Sequence, residues 1–142
     1  MKTIESEFSK HIVKSEQMPL GDIHFFNHIA IIEFKEGVHV DIYNVSGIYK
    51  ELLSFYGISR PFGIIANRVN SYSINLLDIS SFKKIMKNLC AYSVVSHNLA
   101  SAMNAKIESN FCSPENIHFE DINEAVNYVF SKVKTNVSIS LN

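Results

Sequence analysis

The clearest periodicity lies near the C-terminus, where Ile122, Ala125, Val126, Val129, Phe130 and Val133 recur at three- and four-residue intervals. That spacing puts them on one face of a helix, and Asp121 with Glu124 supplies a capping-box start. Val45, Ile48, Tyr49, Leu52, Leu53 and Tyr56 repeat the pattern in an earlier helix, with Gly57 at the C-cap position. Two weaker stripes complete a set of four. Ile74, Leu77, Phe82, Ile85, Met86 and Leu89 predict a helix starting near Ser73, with Ser71 or Ser73 as its N-cap. Leu99, Ala102, Met103, Ile107 and Phe111 predict another, capped by Asn98.

Between the helices lie short apolar runs without polar alternation, the mark of strands covered on both faces. Phe62 to Ala66 follows Pro61, Ala91 to Val95 follows the second stripe, and Ile117 to Phe119 follows Pro114. Upstream, Asp22 to Phe26 and Ile29 to Lys35 flank Asn27-His28 and read as two strands joined by a tight turn. The order is a hairpin followed by α, β, α, β, α, β, α. It predicts an α/β fold with a mixed sheet of about five strands and four helices. Residues 18–133 form a single domain. Residues 1–17 read as a mobile arm or an edge strand, and 134–142 as a polar-alternating tail.

Open α/β sheets bind ligands beyond the carboxyl ends of their parallel strands. Here those ends are Asn67-Arg68, Ser96-His97-Asn98 and Glu120-Asp121. The candidate ligand- or partner-binding residues are therefore Arg68, Asn70, Ser71, Ser73, Ser96, His97 and Asn98. Arg68 beside two helix N-termini suits an anion. Its competing role is a structural ion pair, with Glu120 and Asp121 as candidate partners on the same edge.

Composition narrows the function classes. Across 142 residues the net charge is −1, so no basic face for nucleic acid is expected. The longest aliphatic run, Ile29 to Ile32, is too short to cross a bilayer, and the polar start reads as lacking a signal peptide, so a cytoplasmic protein is expected. Cys90 and Cys112 have no metal-type or redox spacing and read as reduced thiols. The six histidines do not cluster at ligand spacing, so neither a metal nor any other cofactor is expected. A hydrolase built on Ser71 or Ser96 with His97 as base lacks a nucleophile elbow and a matched acid, and no catalytic residue is assigned. An exposed hairpin edge predicts a homodimer.

The blocks IAIIEFKEGVHVD, FGIIANRVNSYSIN, CAYSVVSHNLASAMNAKIESNF and FEDINEAVNYVF, within residues 18–133, resemble the STAS-like superfold. That group includes anti-sigma-factor antagonists and the related CRAL-TRIO lipid-binding domains; the closer likeness is to small single-domain proteins of Bacteroidetes. The resemblance implies a non-enzymatic regulatory or interaction module whose partner is a kinase or regulator, switched by serine phosphorylation where the second helix begins. DISSF, Asp78 to Phe82, lacks the glycine of the antagonist turn, and the apolar spacing places Ser80 and Ser81 inside a helix. The implied phosphorylation then falls on Ser71 or Ser73. The alternative is a protein that binds an apolar or anionic lipid-like small molecule.

Overall fold

The computed structural model describes residues 1–112 and 118–141, with side chains for all of these except 79, 80, 82, 83, 109–112 and 136–141. Two 3-10 turns, Thr3–Glu5 and Glu7–His11, lead into β1 (Lys14–Gln17), β2 (Gly21–Phe25) and β3 (Ile29–Phe34). There follow β4 (His39–Val40), α1 (Ser46–Tyr56), β5 (Phe62–Arg68), β6 (Ser73–Ile74) and α2 (Leu76–Ile85). The chain ends with β7 (Leu89–Ser96), α3 (Leu99–Cys112), β8 (His118–Phe119) and α4 (Ile122–Leu141). The main sheet has six strands in the order β1-β2-β3-β5-β7-β8, antiparallel across β1-β2-β3 and parallel beyond. The expected α/β class, with a mixed sheet and four helices, is the one observed. The strand beyond the expected five is β1, which lies at the sheet edge within residues 1–17; its residues KSEQ are polar and mostly exposed.

Alternation along the strands sorts the core into two faces. Ile23, Phe25, Ala30, Ile32, Phe34, Phe62 and Ile64 meet Ile48, Leu52 and Tyr56 of α1. Ile29, Ile31, Ile65 and Val95 meet Ile122, Ala125, Val129 and Val133 of α4 on the opposite face. Helix α4 lies so close to β5 that a Cβ at Gly63 would collide with Val129, so the smallest residue sits where helix and sheet touch. Gly57, at φ +70°, closes α1, and its N–H donates to the Leu53 carbonyl.

Local expectations were met unevenly. Asn98 caps α3, its Oδ1 accepting from Ser101 N–H at 2.8 Å, and Asp121 caps α4 through Asn123 N–H at 3.0 Å. The cap of α2 is neither Ser71 nor Ser73 but Asn75, whose Oδ1 accepts from Asp78 N–H at 3.3 Å. Ser73 is unavailable because it is extended in β6, paired in parallel with β4. Ser80 and Ser81 do lie within α2. Helix α4 runs through residues read as a tail. The expected break at Pro114 and the start of the last strand at Ile117 fall outside the described residues. Cys90 is a free, half-buried thiol; the side chain of Cys112 is outside the described set. Among the described residues no helix is long and apolar enough to cross a membrane.

The largest departure concerns α2 and α3. Their apolar stripes predict burial, yet Leu77, Ile85, Leu99, Met103 and Ile107 are 74%, 53%, 87%, 72% and 44% exposed. Among the described side chains of α3, Ala105 and Glu108 are the buried ones, and α2 packs along α3.

Candidate functional site

Three parallel strands, β3, β5 and β7, end side by side, and the predicted residues divide there into three groups. Arg68 ends β5 on the face toward α3 and is 3% exposed. One terminal nitrogen donates to Glu108 Oε1 at 2.8 Å and the other to the Tyr72 carbonyl at 2.9 Å, while the guanidinium lies 3.8 Å from the Tyr72 ring centre. Tyr72 and Tyr92 hydroxyls donate to the same Glu108 carboxylate at 2.9 and 2.5 Å. Burial pushes the Glu108 carboxyl up, opposed by these donors. Arg68 is therefore a core ion-pair residue, and its partner is Glu108 rather than Glu120 or Asp121. A buried guanidinium already held by a carboxylate offers no anion site at the surface.

Asn70, Ser71 and Ser73 form the second group, and they are tied to the segment after β3. The Asn70 amide donates to the Phe34 carbonyl at 3.0 Å, and Ser71 N–H donates to Glu36 Oε2 at 2.6 Å. The Ser71 carbonyl accepts from Gly37 N–H at 2.7 Å. The Ser73 hydroxyl shares a 2.7 Å hydrogen bond with His39 Nδ1. Both serines are exposed, but their electrostatic settings differ: Ser71 abuts a carboxylate and Ser73 an imidazole.

Ser96, His97 and Asn98 form the third group. With Leu99 and Glu120 they line a cleft of about 430 Å³ at the ends of β7 and β8. Ser96 Oγ is buried without a hydrogen-bond partner among the described residues, so it makes no pair with His97. Both nitrogens of His97 are engaged elsewhere: Nδ1 with the Met1 amine at 3.1 Å and Nε2 with Asn67 Oδ1 at 2.6 Å. Burial and the neighbouring amine push the His97 imidazole down, against an opposing pull from Glu33. A neutral ring that accepts at Nδ1 and donates from Nε2 satisfies both contacts. Among the described residues neither Ser71 nor Ser96 hydrogen-bonds to His97, so the serine–histidine pair weighed for a hydrolase is not formed.

Sequence reasoning missed the residue at the centre of this edge. Glu33 interrupts the apolar run of β3 and is 6% exposed. Its Oε2 accepts from Thr3 N–H at 2.7 Å, Thr3 Oγ1 at 2.8 Å and Asn67 Nδ2 at 2.8 Å; His24 Nε2 lies 3.5 Å from Oε1. Burial alone would raise this carboxyl, but donation from His24, Thr3 and Asn67 outweighs it and pulls the group down to about 2. Glu33 thus anchors the first 3-10 turn over the strand ends. His24 extends the chain to Ser15 Oγ, 2.7 Å from Nδ1, on the edge strand β1. Hydroxyl, imidazole and carboxylate are in sequence, yet none of the three lines the strand-end cleft. The signal available beforehand was a lone carboxylate in an otherwise aliphatic strand, which must be paired when buried.

Among the described residues no group of three or more His, Cys, Asp or Glu side chains is placed to hold a metal ion. No protein-family model, curated protein or solved structure matches this chain.

Proposed function

We propose that this chain is a non-enzymatic, cytoplasmic STAS-like regulatory module that works by binding a protein partner. The observation that carries this reading is the apolar surface of α2 and α3. Five large apolar side chains stand exposed on two helices that pack against each other. Leu99, Met103 and Ile107 follow one another at four-residue steps, so they form a continuous ridge rather than scattered exceptions. Contiguous apolar exposure of this kind marks an interaction surface.

The charges around the ridge describe the partner. On and just after these helices the exposed described charges include Lys84 and Lys87. Asp78 is half-buried and engaged by Ile42 N–H, and Glu108 is inside the core. An amphipathic helix with an apolar stripe and acidic flanks complements this surface; a second copy of the same face brings lysine against lysine.

Regulation fits Ser73 better than Ser71. A phosphate on Ser73 lies beside His39, immediately before α2, whereas one on Ser71 meets the Glu36 carboxylate. The experiment is affinity capture from cells expressing the protein, comparing wild type with Met103→Glu. A protein retained by the wild type and lost by the folded variant supports the reading. Equal capture by both, or capture of nothing, contradicts it.

A further inference from the structure

On the other face of the sheet a trough of about 450 Å³ runs between the second 3-10 turn, the β2–β3 turn and α4. Three aromatic rings, Phe8, Phe26 and Phe130, come to it from three different elements, with Ile31 of β3 at its base. Phe130 is 50% exposed while its neighbour Val129 is fully buried, so α4 turns a large ring outward here beside its core face. The polar residues of the lining are His11, Asn27, His28 and Asn127, and none of the lining residues is acidic. His28 is fixed by its Nδ1–H donating to the Pro61 carbonyl at 3.0 Å.

We infer that this trough is a binding site for a compact aromatic carboxylate. The volume lies within the range of small-molecule sites, which combine apolar walls with a few polar groups that set orientation. Three rings from separate elements favour a flat π-system, which gains ring–ring contacts that a flexible chain does not. The Asn27 and Asn127 amide N–H groups and the His11 imidazole at the margin, with no carboxylate among them, favour an acceptor head bearing negative charge. The site lies across the sheet from the α2–α3 surface, so it stands or falls independently of the partner reading.

The test is an NMR titration of the full chain with naphthalene-2-carboxylate, naphthalene-2-methanol and decanoate. The aromatic acid should produce saturable shifts confined to the trough, including the amides of His28, Asn127 and Phe130. The neutral alcohol and the aliphatic acid should each bind at least about tenfold more weakly. Phe130→Glu and, as a milder change, Asn127→Asp should each weaken the aromatic acid by about tenfold or more, with the melting temperature of at least one unchanged. The inference is overturned by an absence of saturable shifts at millimolar ligand, or by shifts centred elsewhere. It is equally overturned if the alcohol or decanoate binds as tightly as the aromatic acid, or if a folded variant binds as the wild type does.

Discussion

The Asn67 amide donates to Glu33 Oε2 at 2.8 Å and also to the Met1 carbonyl at 3.0 Å, so one buried side chain binds β3, β5 and the N-terminal segment together. His97 adds the end of β7 through Asn67 Oδ1. The network has a defined sign. Its acceptor is a carboxylate held ionised, and its donors need it so.

Acid should therefore weaken the fold through Glu33. Its carboxyl is depressed from 4.5 to about 2 in the folded chain, so the stabilisation is complete above the unfolded value and is lost as pH falls from there toward 2. The shift corresponds to about 3 kcal/mol. Urea unfolding from pH 7 to pH 3 should show most of this loss in the wild type. Glu33→Gln should be weaker at pH 7 and nearly flat over the carboxylate range. His97 acts in the same direction at higher pH, since a depressed imidazole favours the folded state above its unfolded value and disfavours it below. A wild type as stable at pH 3 as at pH 7 would exclude the assignment.

Breaking the Arg68–Glu108 pair from one side should be severe. Glu108→Gln leaves a guanidinium that is 3% exposed without its counter-charge, and a loss of about 3–5 kcal/mol is expected in urea unfolding. Replacing both partners by apolar residues, Arg68→Met with Glu108→Leu, should recover part of it, short of the wild type because the Tyr72 and Tyr92 hydroxyls lose their acceptor. A single variant of near wild-type stability would show that the pair does not hold α3 to the sheet.

Gly63→Ala places a methyl group where Val129 of α4 lies. The expected cost is about 1–3 kcal/mol, read as a lowered melting temperature. An unchanged melting temperature would mean that α4 rides further from β5 than described.

These particulars show where the sequence was legible. Helices α1 and α4 pack on the sheet, so most of their apolar spacing reports burial: Leu52 and Val129 are in the core, while Leu53 and Phe130 of the same stripes stay exposed. In α2 and α3 the same spacing reports amphipathicity without saying what covers the apolar face, and Leu99 and Met103 are solvent-facing. Asn75 was overlooked as a cap because the β4–β6 pairing that occupies Ser73 joins segments more than thirty residues apart. Glu108 was invisible as the partner of Arg68 for the same reason: forty residues separate them, and α3 periodicity treats Glu108 as one more polar position. The strand-end location of the candidate residues was readable from element order. Their division into a core pair, a loop brace and a cleft was not, because it depends on which face of each strand a residue occupies.

If the module is switched by phosphorylation, the modified residue should be Ser73. Phosphopeptide mapping of protein recovered from expressing cells should place the phosphate there and not on Ser71, where Glu36 repels it. Modification at Ser71, or none under any growth condition, would contradict the assignment.

The proposed function requires the exposed apolar ridge of α3 to contact a partner. The most direct measurement is in-cell photo-crosslinking from an unnatural side chain at Met103, with Tyr43, 86% exposed in the segment before α1, as a control position. A partner seated on this ridge gives a discrete protein adduct from position 103 that is absent from position 43 and is diminished by Leu99→Glu. Adducts of equal yield from both positions, or none from position 103, would contradict it.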